Sequence, residues 1–108
     1  MKIAVVYDSE SGNIHESFED AKVLRIYDIE DREIFHTENI GTMAESPQDI
    51  LDLIHMMEAD CVLCDNITPY SIELLKEEGI LLYSGLDGEA DGIVYAFING
   101  YLIFGPDD

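Results

Sequence analysis

Three strand-like runs of apolar residues fill the first part of this chain. They cover residues 2–7, 21–29 and 33–37. Only Glu30, Asp31 and Arg32 separate the second run from the third, and a polar turn of hairpin length predicts two antiparallel strands. Residues 8–20, between the first two runs, are predicted to form a polar turn and then an irregular loop, anchored by Ile14 and Phe18.

Two helices are predicted from the same start signal, in which a hydroxyl residue precedes proline. Ser46-Pro47 and Thr68-Pro69 each combine a residue that caps a helix with one that suits its first turn. After the first signal, apolar residues recur at the i, i+3, i+4 and i+7 positions, as Ile50, Leu53, Ile54 and Met57. After the second signal, Gly79 lies where a left-handed residue ends a helix.

The second helix lies between two short apolar runs, residues 59–64 and 80–83. Runs of this kind are typical of strands that are buried on both faces of a parallel sheet, so this stretch predicts a βαβ unit. A third helix is predicted after an acidic turn at residues 86–91, with Asn99 and Gly100 at its end. Residues 101–104 are predicted to form a last strand or a tail that lies against the core.

These elements predict one α/β domain over residues 1–108, in the order β-β-β-α-β-α-β-α, with helices packed on a mixed five-stranded sheet. At 108 residues and 47% hydrophobic composition, the chain is large enough to fold around a core without disulfides or metal. No apolar run reaches the roughly 20 residues of a membrane helix, and we expect no signal peptide before the first strand-like run. We therefore expect a cytoplasmic protein.

The chain is strongly acidic. Its 24 Asp and Glu residues, against 5 Lys and Arg, give a formal net charge of −19. Because such a field repels nucleic acid and anionic membranes, neither is an expected partner. The acidic loops at residues 16–20 and 87–91 are instead candidate docking faces for a basic protein. These observations leave the oligomeric state open.

Several segments, taken in order, resemble the family of nitrogenase iron–molybdenum cofactor biosynthesis and carrier proteins. Residues 12–14, Phe18 and Ala21 resemble the turn and the "HFG.A" motif of that family. Residues 67–80 resemble its "GGIGPGA..LL...GI" segment, and residues 96–100 resemble its last helix. The resemblance implies a three-layer domain of the ribonuclease H-like kind. It also implies a non-enzymatic role in the assembly or carriage of an iron–molybdenum or iron–sulfur cluster.

The resemblance also indicates where a cofactor would bind. Ser17 stands at the histidine position of the "HFG" motif and Glu19 at its glycine position, with His15 two residues upstream of Ser17. The cofactor-binding residues that this comparison implies are His15, Ser17, Cys64, Asn66 and Thr68. A surface role for His15 is the alternative, since one histidine without fixed partners is weak evidence for a metal ligand.

Cys61 and Cys64 have the spacing of a metal or redox pair. On a strand, however, positions three apart point to opposite faces of the sheet. Their Cα atoms would lie roughly 10 Å apart, which is beyond the reach of a disulfide. Both are therefore predicted to be small core residues, and Cys64, near the end of its strand, is the one closer to a ligand.

Asp8 and Asp65 each follow an apolar strand. If those two strands are parallel neighbours, both carboxylates lie at the edge where open α/β sheets bind ligands. Oxygen ligands at that edge, with Asn66 close by, suit Mg²⁺ or Ca²⁺. Ordinary turn formation by Asp and Asn is the alternative.

Three functional hypotheses account for these features. The first is assembly or carriage of an iron–molybdenum or iron–sulfur cluster. The second is an acidic protein-interaction module on the same scaffold that no longer binds a cluster. The third is a divalent-metal-dependent enzyme that uses Asp8 and Asp65. Catalysis has little support, because the sequence contains no Walker loop, dinucleotide fingerprint or recognisable nucleophile–base pair.

Overall fold

The computed structural model describes residues 1–100, which form a mixed five-stranded sheet and three helices. The strands are β1 (Lys2–Tyr7), β2 (Val23–Glu30), β3 (Glu33–Gly41), β4 (Cys61–Leu63) and β5 (Leu81–Tyr83), and the helices are α1 (Pro47–Met56), α2 (Pro69–Glu77) and α3 (Ala90–Ile98). Across the sheet the strand order is β3-β2-β1-β4-β5. The predicted α/β class and mixed five-stranded sheet are confirmed. In the described part of the chain, no helix is both long and apolar enough to cross a membrane.

Strand β1 joins the antiparallel half of the sheet to its parallel half. It pairs antiparallel with β2 and parallel with β4. The β2–β3 hairpin is antiparallel, as its short turn predicts, and β4 and β5 are parallel. Asp31 and Arg32 in the hairpin turn have φ of 53° and 62°, the left-handed pair that matches the twist of the two strands. Because β1 and β4 are parallel, their carboxyl ends lie at the same edge of the sheet.

Strand β3 and helix α3 differ from the sequence prediction at their ends. Residues 39–41, which lie beyond the strand-like run predicted at residues 33–37, belong to β3, where Gly41 pairs with Val23. The neighbouring strand supplies hydrogen bonds that the local polar pattern does not reveal, and Ile40 packs against the core. Helix α3 begins at Ala90, inside the stretch predicted to be a turn. The strand or tail predicted for residues 101–104 lies outside the described residues.

The sheet carries a buried core on each face, and the helices therefore form two layers around it. Helices α1 and α2 cover one face through residues such as Ile50 and Leu75. Helix α3 covers the other face through Ala90 and Val94. Each strand of the central pair, β1 and β4, contributes apolar side chains to both cores, which explains why these runs are almost wholly apolar.

A polar cluster fixes the start of α3 on the sheet. Tyr27 donates a 2.6 Å hydrogen bond to Asp91 Oδ1, and Arg25 Nε lies 3.1 Å from the same oxygen. Burial of Tyr27, together with its hydrogen bond to Asp91, raises the pKa of the tyrosine hydroxyl, so that the hydroxyl stays protonated and remains a donor. The guanidinium of Arg25 also lies over the rings of Tyr7 and Tyr27.

Candidate functional site

The irregular loop between β1 and β2 is held by both of its predicted anchors. Ile14 is 6% exposed and Phe18 is 1% exposed. Their side chains belong to the cores on opposite faces of the sheet. Between them, His15 donates its backbone N–H to Val6 O over 2.8 Å. The loop is therefore fixed at the sheet edge where β1 ends.

Residues 16–18 of this loop pair with Asn66, shortly after β4. Phe18 N donates to Asn66 O over 3.0 Å, and Asn66 N donates to Glu16 O over 3.1 Å. The side-chain amide of Asn66 donates to the same Glu16 carbonyl over 2.9 Å. Ser17 and Asn66 thus form a short parallel bridge. Three of the predicted site residues, Ser17, Asn66 and Thr68, are brought to one edge by this pairing.

Thr68 caps α2 and also binds a carboxylate from the loop. Its hydroxyl accepts from Ser71 N over 3.3 Å, as the sequence predicts for an N-cap. Glu19 Oε2 lies 3.1 Å from Thr68 N and 3.1 Å from Thr68 Oγ1 and accepts from both. The start of a helix attracts negative charge, and here the chain itself supplies that charge.

Glu19 was not among the site residues predicted from the sequence. The signal that points to it is an acid at the position where the resembling family has glycine. Its contact with Thr68 spans 49 residues of sequence, so no local pattern could have identified the partner.

The ring of His15 is fixed by the backbone of Ser17. Nδ1 of His15 lies 3.1 Å from Ser17 N and 3.2 Å from Ser17 O. A ring protonated on Nε2 accepts from the Ser17 N–H, whereas a ring protonated on Nδ1 donates to the Ser17 carbonyl. In either tautomer Nδ1 is committed to Ser17, and Nε2 is the nitrogen that a ligand could contact. Ser17 contributes to this contact through its backbone.

The two cysteines lie in opposite cores, as their spacing predicted. Cys61 packs on the α3 side of the sheet and Cys64 on the side of α1 and α2. No disulfide joins them, and both are 0% exposed. Burial raises the pKa of the Cys61 thiol to about 12, so this thiol stays protonated near neutral pH. The fold places Cys64 in the core beneath the sheet edge and not on its surface.

Asp8 closes its own turn. Its Oδ1 accepts from Glu10 N over 3.0 Å, and this bond, with a further contribution from Ser11, lowers the pKa of the Asp8 carboxyl. Asp65 accepts from Gly85 N through its backbone carbonyl, over 2.8 Å. Among residues 1–100, no three His, Cys, Asp or Glu side chains are grouped so that they could hold a metal ion. A cation site at Asp8 and Asp65 stays a prediction.

An open cleft of about 860 Å³ lies beside the loop. Four of the residues that line it are acids and one is a lysine: Glu16, Glu19, Asp20, Glu45 and Lys22. His15 and Met43 also line it, and the Met43 side chain is 94% exposed. This acidic cleft therefore combines negative charge with one exposed apolar side chain.

The residues at this edge do not fit an anionic cluster of iron, molybdenum and sulfur. Glu19 already accepts from the donors at the start of α2, and carboxylates line the neighbouring cleft. Cys64 is fully buried. His15 Nε2 would then be a single ligand, whereas protein-bound iron–sulfur clusters are held by several thiolates or imidazoles.

A protein-family model matches almost the whole chain. The model is described as "Dinitrogenase iron-molybdenum cofactor", and it aligns with residues 1–100. The chain belongs to this family. The resemblance drawn from the sequence motifs is thereby confirmed, and the family is one named for the iron–molybdenum cofactor. No curated protein matches the chain.

Solved structures share the fold over nearly its full length. The protein PH0822 is 25% identical with a TM-score of 0.85, and the match covers 93% of this chain and 92% of that one. A protein of Methanocaldococcus jannaschii, provisionally described as a dinitrogenase, is 27% identical with a TM-score of 0.78, over 100% of this chain and 95% of its own. The apo form of the orange protein from Desulfovibrio gigas has a TM-score of 0.80 at 17% identity, over 99% and 96% of the two chains. At that identity the similarity concerns the fold alone.

Proposed function

We propose that this chain is a non-enzymatic binding protein of its family and that it binds a basic protein through the acidic cleft. The observation that carries this proposal is the contact of Glu19 with Thr68 N and Oγ1. An anionic cluster would meet a carboxylate at the place where it needs hydrogen-bond donors. The net charge of −19 supports a cationic partner, because complementary charge steers and orients association.

The composition of the cleft indicates the chemistry of the partner. Its carboxylates suit Arg and Lys side chains, and Arg matches a carboxylate with two parallel hydrogen bonds. Met43 adds a flexible apolar contact. The expected partner surface is therefore rich in Arg and Lys and carries an apolar side chain, and the complex should weaken steeply as salt is raised.

Fluorescence anisotropy with a labelled Arg- and Lys-rich peptide tests the cleft. The cleft variant is Glu16→Gln/Asp20→Asn/Glu45→Gln, which leaves Glu19 in place. The matched control is Glu33→Gln/Glu73→Gln/Glu77→Gln, which removes the same charge from exposed positions elsewhere. Since each exposed charge contributes modestly, we expect the cleft variant to bind about tenfold more weakly and the control to change by less than about twofold.

Two outcomes would contradict the cleft proposal. Equal weakening by the cleft variant and by the control would show that the peptide responds to net charge and not to this surface. Equal binding of a neutral peptide of the same length would show that charge complementarity is not what is recognised.

Carriage of an iron–molybdenum or iron–sulfur cluster is the second candidate. The family match over residues 1–100 favours it, as does the His15 ring, whose Nδ1 contacts Ser17 and leaves Nε2 for a ligand. Anaerobic reconstitution with iron, sulfide and molybdate, followed by absorption spectroscopy and metal analysis, tests it. Stoichiometric metal that falls in His15→Ala or Cys64→Ala, but not in the exposed control His36→Ala, would favour carriage. A protein that stays free of metal would favour the acidic module.

The proposal also includes a ribonuclease H-like assignment for the three-layer fold, a cytoplasmic location, and neither nucleic acid nor membrane as partner. The element order supports the fold assignment, and the acidic composition supports the excluded partners. A divalent-metal enzyme that uses Asp8 and Asp65 has the least support. Flat calorimetric titrations with Mg²⁺, Mn²⁺ and Ca²⁺ would eliminate it.

A further inference from the structure

A single carboxylate accepts from both polar donors of Thr68, the residue that caps α2. Glu19 Oε2 accepts from both Thr68 N and Thr68 Oγ1, each over 3.1 Å. Pro69 follows directly and has no N–H to offer. Ser71 N, in the first turn, donates back to the Thr68 hydroxyl. The donors of Thr68 and Ser71 at the start of α2 are therefore satisfied by groups of the chain itself.

The backbone on either side of this contact is held by other interactions, so the position of Glu19 relative to Thr68 is fixed by the fold. Phe18, which precedes Glu19, is 1% exposed and donates its N–H to Asn66 O over 3.0 Å. Asn66 lies two residues before Thr68 in the turn that leads into α2. The loop and the helix start are thus joined at two successive places, which holds the carboxylate against its donors.

We propose that Glu19 is a built-in occupant of the anion position of α2 and keeps oxyanions and anionic clusters out of it. A second negative group at this place would be repelled by the carboxylate and would find the donors of Thr68 already bound. Helix starts that bind phosphate-like anions keep these donors available. In this chain the contact at this position instead connects the loop after β1 to helix α2. This inference and the proposed function start from the same contact of Glu19 with Thr68, but the test of the proposed function leaves Glu19 unchanged, so the two can fail separately.

The test is a two-dimensional ¹H–¹⁵N NMR titration with sodium molybdate at constant ionic strength. In the wild type we expect no saturable movement of the Thr68 and Ser71 amide signals. In Glu19→Ala we expect saturable movement with an affinity at least about tenfold above the upper limit set by the wild-type titration, because two charge-assisted hydrogen bonds no longer compete. Glu16→Ala is the matched control, since it removes an equal charge nearby while the Glu16 contact with Asn66 is made by a backbone carbonyl. It should behave as the wild type does.

Three results would overturn the proposal. Saturable movement of Thr68 in the wild type would show that the position is open. An equal gain in Glu16→Ala would show that net charge alone excludes the anion. A folded Glu19→Ala protein that gains nothing would show that Glu19 is not what closes the position. If Glu19→Ala does not fold, Glu19→Met keeps the length of the side chain without an oxygen that could accept from Thr68, and it is judged by the same criteria.

Discussion

Helices α1 and α2 begin with the same residue types but are completed by different parts of the chain. Ser46 and Thr68 both cap with an extended backbone and accept from the N–H three residues later. At α1, the Asp49 carboxylate accepts a 2.9 Å hydrogen bond from Glu45 N, so this cap is made by residues that are close in sequence. At α2, the carboxylate is Glu19, which only the fold brings there.

This difference separates a local cap from a tertiary one. The start of α1 needs nothing beyond its own segment. The start of α2 needs the loop after β1, whose position depends on Phe18 in the core. A substitution that disturbs this loop should therefore destabilise the start of α2 and leave the start of α1 unchanged.

The largest effect should come from Phe18→Ala. Because Phe18 is 1% exposed, its truncation should lower the free energy of unfolding by about 3–5 kcal/mol, measured by urea denaturation. In the folded fraction, hydrogen exchange should accelerate more at Thr68 and Ser71 than at Asp49. Val94→Ala, in the opposite core, is the control and should spare both helix starts. Equal acceleration of hydrogen exchange at the starts of α1 and α2 in Phe18→Ala would contradict the distinction between a local cap and a tertiary cap.

A smaller difference is expected between the losses of stability caused by truncating the two cap residues, Ser46 and Thr68. Ser46→Ala should cost about 1 kcal/mol of unfolding free energy, as a lost N-cap usually does. Thr68→Ala should cost about 2 kcal/mol, because it also removes the hydroxyl donor to Glu19. Thermal and urea unfolding of the two variants measure the difference. If Ser46→Ala costs as much as Thr68→Ala, the contact with Glu19 adds nothing to the cap.

The smallest effect should come from Asp49→Ala. The loss of its bond to Glu45 N should cost about 0.5–1 kcal/mol and should loosen only the first turn of α1. Asp52→Ala removes the same charge one position beyond that turn, together with a hydrogen bond from Gln48, and is the control. The amide chemical shifts in ¹H–¹⁵N NMR spectra show how far from residue 49 the structure changes. A shift at Thr68 in Asp49→Ala would show that α1 is not capped locally.

Much of the fold could be predicted because its signals are contiguous. The two cap-and-proline pairs located α1 and α2, and Gly79, with φ of 72°, ends α2 as predicted. The short polar turn identified the hairpin. The end of β3 could not be found in this way, because Asn39 and Gly41 on either side of Ile40 are poor strand formers and become strand only through pairing with β2.

The candidate site was predicted in part. The pattern indicated the edge at the ends of β1 and β4, and Asn66 and Thr68 lie there with Ser17. Cys64, directly after β4, lies in the core on the face covered by α1 and α2, as its predicted burial required. Glu19 was recognised as an acid at the family's glycine position, but its contact with Thr68 could not be predicted because the two residues are 49 positions apart.

The sequence by itself determined the fold class, the family and the local starts of the helices. The reason is that short-range hydrogen bonds and hydrophobic periodicity depend on residues that are close together in the sequence. The tertiary structure alone decided what occupies the start of α2. A contact over 49 residues arises only when β1 and β4 are parallel neighbours and Phe18 anchors the loop between β1 and β2. The charge at the site is therefore a property of the assembled sheet edge and not of any one segment.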